Sequence, residues 1–134
     1  MPYLLDSNIV SELRKHKPHG AVLAWIEKIP DDSLYVSAVT LGEIQSGIEM
    51  TREHNGAQAL EIEMWLDEVA QSYNVLAVDA AIFRRWGRLM HRRAADHLED
   101  ALIAATALVR ELTVATRNVE DFKSFGVAMV NPFE

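Results

Sequence analysis

Asp96-His-Leu-Glu-Asp100-Ala-Leu-Ile-Ala-Ala-Thr106-Ala-Leu-Val109 is the stretch on which the reading of the fold turns. From Ala101 to Val109 there is no charge and a single hydroxyl, so a helix here is apolar on every side and must be covered all round. Ala101, Ala104, Ala105 and Ala107 keep its surface thin, which lets it lie close to whatever covers it. Three carboxylates, Asp96, Glu99 and Asp100, stand at its entrance. An acid at the mouth of a dry helix either answers the helix dipole or belongs to a site.

The neighbouring sequence supplies the covering layer. Leu112-Thr-Val-Ala-Thr116 reads as a strand directly after the buried helix, and Val127-Ala-Met-Val130 as another, closed by Asn131-Pro132. Between them Arg117-Asn118-Val-Glu-Asp121-Phe122 is a polar loop entering a short helical turn. Upstream, Tyr3-Leu4-Leu5 is a buried strand ending at Asp6-Ser7-Asn8, with a helix from Ser7 to about Lys15. Pro18 suits a first helical position, and Val22, Leu23, Trp25, Ile26 and Ile29 give that next helix its apolar face. Pro30-Asp31-Asp32-Ser33 is a turn, Leu34-Tyr35-Val36 a second strand, and Ser37 or Thr40 opens the helix carrying Glu43.

After a break at Glu53-His-Asn-Gly56, residues 57–73 read as a long amphipathic helix. Val75-Leu-Ala-Val78 is a third strand, and Asp79 caps an arginine-rich helix running to about Arg93. Short, continuously apolar strands alternating with helices indicate a parallel sheet covered on both faces, an α/β fold in three layers, α/β/α. Right-handed crossovers put the carboxyl end of every strand on one edge, where such sheets bind ligands.

The 134 residues fit one domain, 1–134, with 49% hydrophobic and 25% charged residues, ordinary for a globular chain. The absence of cysteine excludes disulfides and thiolate metal sites. No apolar run reaches membrane-spanning length, and the amino terminus turns polar too early for a signal peptide, so a cytoplasmic location is expected. A net charge of -7 argues against general affinity for nucleic acid. It is compatible with a nucleic-acid enzyme whose clustered acids hold divalent cations. Against that acidity, Arg84, Arg85, Arg88, Arg92 and Arg93 crowd one segment. Arg84, Arg88 and Arg92 recur every four residues, as a solvated face or as a stripe for phosphates or an acidic partner.

Fold logic brings distant acids together. Asp6 ends the first strand, Glu43 lies in the second turn after the second, Asp100 opens the buried helix, and Asn118 and Asp121 follow the fourth strand. Taken singly, Asp6 is an N-cap, Glu43 a solvated helix residue, Asp100 a dipole acid and Asp121 a loop acid. Taken together, with no lysine or arginine among them, they repel one another and suit a hard divalent cation with oxygen ligands, Mg²⁺ or Mn²⁺. Such a site activates water and stabilises displacement at phosphorus. Asp96 and Glu99 are read as solvated, and His97 as a surface histidine.

Leu4-Leu5-Asp6-Ser7-Asn8, Val39-Thr-Leu-Gly-Glu43-Ile, Asp100-Ala-Leu-Ile-Ala-Ala-Thr-Ala and Thr116-Arg-Asn-Val-Glu-Asp121-Phe, in that order, resemble the PIN domain. More narrowly they resemble the VapC and FitB-like toxins of prokaryotic toxin–antitoxin modules, as does the ending Asn131-Pro132-Phe133-Glu134. The resemblance implies a sheet of order 3-2-1-4-5 and a Mg²⁺- or Mn²⁺-dependent endoribonuclease acting on RNA. It carries Asp6, Glu43 and Asp100 over as catalytic, metal-binding acids, and leaves Asn118 or Asp121 as the fourth contributor. Ser7 and Thr116 match hydroxyl positions that order the pocket. It further implies a homodimer, with the helix at 57–73 a candidate surface, a cognate antitoxin that covers the acidic pocket, and operator DNA bound only through that antitoxin. Two other readings stand beside it. One is a phosphotransfer domain with Asp6 as nucleophile, for which Asn8 stands where a second Asp is usual. The other is a catalytically idle co-repressor within an antitoxin–DNA complex.

Overall fold

In a computed structural model the chain is described over residues 1–134, the side chain of Ala95 excepted. Five parallel strands form one sheet in the order β3-β2-β1-β4-β5. These are β1 (Tyr3–Leu5), β2 (Leu34–Ser37), β3 (Asn74–Leu76), β4 (Thr113–Ala115) and β5 (Met129–Val130). β1 is central, with Leu4 opposite Tyr35 of β2 and Val114 of β4. The expected α/β class and strand order hold.

Successive residues of a strand point to opposite faces, so Leu4 and Leu5 enter different cores. Leu4 joins Val114, Phe122, Ile103, Ala104 and Ala107 on the face covered by α6 (Leu98–Arg110) and α5 (Ala80–Leu89). Leu5 joins Ile9, Val10, Val22, Val36 and Ala115 on the face covered by α1 (Ser7–Arg14) and α2 (Gly20–Lys28). The hairpin of α3 (Ala38–Arg52) and α4 (Gly56–Ser72) closes a third, smaller cluster around Ile48, Ala59 and Leu66. A short α7 (Val119–Lys123) follows β4.

The alanine-rich helix is α6. Ala101, Ala104, Ala105 and Ala107 are fully or almost fully covered, and Thr106 turns its hydroxyl onto the Leu102 carbonyl at 2.8 Å. Enlarging a side chain here has no room to succeed. Ala104→Leu should cost about 1–3 kcal/mol of unfolding free energy, read from the midpoint of urea denaturation.

Three local expectations are corrected. Pro18 does not open α2; His19 caps it, with Nδ1 accepting from Ala21 N–H at 3.2 Å, and the helix starts at Gly20. The third strand lies at Asn74–Leu76 rather than 75–78, because Asn74 Nδ2 donates to the Leu34 carbonyl at 3.0 Å and sets the register. The arginine-rich helix ends at Leu89, not Arg93, and Arg92 adopts φ 63° in the turn that follows. Among the described residues no helix is long and apolar enough to cross a membrane.

Candidate functional site

Asp6 leaves β1 at the carboxyl edge of the sheet, and its backbone N–H donates to the Ala115 carbonyl at 2.9 Å. Its side chain is nearly buried and fully engaged. Oδ1 accepts from Ser7 N–H at 2.9 Å; Oδ2 accepts from the Thr116 hydroxyl at 2.8 Å and from Asn8 Nδ2 at 3.1 Å. Asn8 also takes Arg117 N–H on its Oδ1 at 3.1 Å, and Thr116 Oγ1 takes Asn118 N–H at 3.0 Å. Two loops more than a hundred residues apart in sequence are thereby locked around one carboxylate. Burial raises the pKa of Asp6, the hydrogen bonds from Thr116, Ser7 and Asn8 work against that, and Asp121 adds like charge.

The other acids gather on the same edge. Burial is the largest cause that pushes Glu43 up to about 8, followed by a hydrogen bond shared with Glu99 and by the charges of Glu99, Asp6 and Asp100. Asp100, in the first turn of α6, rises to about 6, through burial and then through Asp6 and Asp121. Glu43 thus senses the charges of Asp6 and Asp100, and Asp6 and Asp100 both sense that of Asp121. Asp6, Glu43 and Asp100 take part in no ion pair among the described residues. Carboxyl groups raised by burial together with like neighbours, and lacking a cationic partner, are functional-site candidates.

Asp121, in the first turn of α7, is felt electrostatically by both Asp6 and Asp100. Asn118 sits at the start of α7 and makes no side-chain cap; its backbone N–H secures the Thr116 hydroxyl. Glu99 is exposed, as expected of a solvated acid, yet it lies near enough to Glu43 to help raise its pKa. Its signal was adjacency to Asp100 in a helical first turn. Asn8 is the second omission; read only as a turn residue, it bridges Asp6 to the Thr116–Arg117 loop. Asp96 remains highly exposed beside His97, at 3.7 Å.

Ser7 and Glu43 open onto a cleft of about 360 Å³ that continues past Ser11 and Arg14 to Trp65. Glu99 and Asp100 line a neighbouring depression of about 320 Å³. No three acidic or histidine side chains are drawn into a ready-made cation cage among the described residues. The donor set itself is all oxygen, half-buried and electrostatically strained, the chemistry that a hard divalent cation relieves. Thr40 Oγ1, one helical turn before Glu43, is buried with no hydrogen-bond partner, an unspent hydroxyl on that side of α3.

Comparison with known proteins gives the family and the fold. The PIN domain family matches residues 3–127. The VapC ribonuclease Y4jK of Sinorhizobium fredii is 32% identical over 98% of this chain and 97% of its own length. The toxin FitB of Neisseria gonorrhoeae is 28% identical, with 97% of each chain covered. Among solved structures, that of FitAB bound to a DNA fragment, IR36, superposes with a TM-score of 0.84 at 27% identity, covering 98% of this chain and 96% of the other.

Proposed function

This chain belongs to the PIN domain family, and from that premise we propose that it is the toxin of a type II toxin–antitoxin pair, an endoribonuclease that hydrolyses RNA phosphodiester bonds. The observation that carries the reading is the set of unpaired carboxylates at the carboxyl edge of β1 and β4, matched in a chain similar end to end to a ribonuclease. Residues 1–134 would act as one PIN domain in the cytoplasm.

Asp6, Glu43 and Asp100 would hold a divalent cation, Mg²⁺ or Mn²⁺, with Asp121 as fourth contributor in preference to Asn118, since Asp121 carries the charge that Asp6 and Asp100 sense. When bound, the cation supplies Lewis-acid neutralisation of phosphate charge and lowers the pKa of water. The chain's own residues do the rest. Ser7 N–H, Asn8 and Thr116 fix the Asp6 carboxylate in one orientation. Glu43, pushed up to about 8 before any cation binds, is a group that can take or return a proton near neutral pH without a histidine. In hydrolysis the oxygen of water bonds to phosphorus, the bond from phosphorus to the leaving sugar oxygen breaks, and that oxygen leaves with a proton.

Thr116 and Asn8 are positioning residues. Thr116→Val should keep the fold and lower cleavage about 10- to 100-fold, the usual effect of removing an outer hydrogen bond to a ligating group. The Mn²⁺ concentration for half-maximal rate should rise with it, whereas a purely structural role would leave that concentration unchanged.

The partner would be a cognate antitoxin covering the acidic cleft, with operator DNA bound through the antitoxin alone; the toxin FitB, a relative, is seen as FitAB on DNA. A homodimer is expected, and Leu60 and Met64, exposed one turn apart on α4, are apolar surface for a second copy. Purified chain incubated with total RNA should cleave it with Mg²⁺ or Mn²⁺, stop with EDTA, and fall silent with its antitoxin. No cleavage with either metal would leave the idle co-repressor as the better account.

A further inference from the structure

We infer that the cleft running from Glu43 between α1 and the α3–α4 hairpin seats the single-stranded RNA flanking the scissile phosphate, with Arg14 as its phosphate contact. The inference rests on the proposed ribonuclease activity for its substrate and on residues outside the acidic set for its argument. An RNA cut in its interior continues past the cut, so the neighbouring nucleotides must lie in a depression that opens from the acids. The depression at Glu99 and Asp100 also takes in Asp96 and no basic side chain, so it repels a phosphate backbone. The cleft that begins at Ser7 and Glu43 has Arg14 farther along, the single cation among its lining residues.

That arginine is unspent. Lys15 is matched with Glu12, Arg52 with Glu49 and Glu63, Arg110 with Asp79, and Lys123 with Glu120. Arg93 and Arg117 lie over the rings of Phe125 and Phe133. Arg14 has no ion pair and no ring partner among the described residues, in a chain with 20 acidic residues to 13 basic ones. A cation in the last turn of α1 answers the helix dipole wherever its side chain points. Arg14 in addition lines the cleft.

Ser7, Ser11 and Arg14 are spaced four and three residues apart and form one stripe of α1. The stripe begins at the residue after Asp6 and runs about 10 Å along the helix axis. Arg14 thus stands beside the next phosphates of a strand whose scissile phosphate lies at the acids, and the two hydroxyls between can donate to phosphate oxygens. The facing wall, from α3 and α4, is apolar at Ile44 and Trp65. A nucleic-acid strand carries its charged backbone on one side and its bases on the other, which matches a cleft with one polar and one apolar wall. An amphipathic protein helix would instead want apolar contacts on both walls. Gly47, inside α3 on the same wall, costs about 1 kcal/mol relative to alanine in a helix. A Cβ there would meet nothing within 4 Å, so packing inside the chain does not require the glycine. Its bareness leaves the cleft open to a strand.

The test is fluorescence anisotropy with a labelled mixed-sequence RNA of about 20 nucleotides across a series of NaCl concentrations, with Ca²⁺ present to neutralise the acids. Arg14→Ala should flatten the slope of log K against log salt by about 0.7, one phosphate contact on a single strand, and weaken binding roughly 3- to 10-fold. Gly47→Leu should fill the cleft and weaken binding about 10-fold, while its melting temperature stays level or rises because leucine is the better helix former. Arg14→Lys should retain the slope. Lys28→Ala, with the same change in net charge at an exposed position in α2, should leave it unaltered. Arg14 is exposed, and its alanine variant carries the test if Gly47→Leu does not fold. An unchanged slope in Arg14→Ala overturns the inference, as does wild-type chain that binds no RNA. RNA binding untouched in both variants, with capture of the antitoxin lost, would assign the cleft to the antitoxin and overturn the inference equally. Wild-type chain that binds this RNA with the stated dependences but cleaves none in Mg²⁺ or Mn²⁺ would refute the ribonuclease reading and leave the cleft an RNA site.

Discussion

Asp6→Asn should lower RNA cleavage by at least about a thousandfold while the protein stays folded. Asp6 is the acid with least freedom to be replaced. It sits at the end of the central strand with both oxygens accepting hydrogen bonds, from Ser7, Asn8 and Thr116, and with Asp121 adding its charge nearby. An asparagine keeps the size and the bond from Ser7 N–H. Its amide nitrogen, however, would face Asn8 Nδ2, donor against donor, and would bring no negative charge. A neighbouring carboxylate cannot stand in, because none is gripped by three donors among the described residues. The measurement is the initial rate on a defined RNA with saturating Mn²⁺, beside growth arrest on induction and a circular dichroism spectrum. A rate within tenfold of wild type would remove Asp6 from the catalytic set.

Glu43→Gln should abolish growth arrest and, in metal-free solution at pH 8.5, melt at a higher temperature than wild type. The sign follows from proton counts. In the folded chain Glu43 is pushed up to about 8 and Asp100 to about 6, above their ordinary 4.5 and 3.8. Between those limits the folded chain holds more protons than the unfolded one, so stability falls as pH rises. The loss begins near pH 4, passes through about 6 for Asp100, and is complete once pH exceeds about 8 for Glu43. Water in the cleft screens the repulsion, which leaves a gain on the order of 1–2 kcal/mol for Glu43→Gln at high pH, roughly 3–6 °C in Tm. At pH 4 the two proteins should melt together, since Glu43 is protonated in both states. Mn²⁺ should raise the melting temperature of wild type at pH 8.5 and barely move the variant. A variant that melts lower than wild type across the whole range would contradict the repulsion described here. Stability given up at a site that function needs is a familiar trade in enzymes.

The layout of the sheet was open to reading because its strands are short, apolar and buried on both faces, so Tyr3–Leu5, Leu34–Ser37 and Thr113–Ala115 stand out between polar turns. Asp6, Glu43, Asp100 and Asp121 could be brought to one edge by topology alone, since parallel strands share the direction in which they end. Other features depend on contacts that periodicity does not encode. Glu99 joins the site because the first turn of α6 faces α3, which one-dimensional spacing does not reveal. Asn8 gains its part only when the loop after β4 folds back beside β1. α5 stops at Leu89 although its pattern continues, because Arg93 is drawn away to Ser124 and Phe125 and Arg92 turns into the left-handed region.

The lock between Asp6 and Thr116 also has a meaning for synthesis. A ribosome delivers Asp6 first and Thr116 some 110 residues later, so the earliest acid made must wait for nearly the last segment. β1 has no β4 neighbour until then, and its contact with that strand is among the most sequence-distant in the chain. A translation product cut short before Asp121 lacks the donor that orients Asp6 or the acid that faces it. With the roles proposed for Asp6, Thr116 and Asp121, incomplete chains would lack activity, which would arrive in a single step near the completion of each molecule.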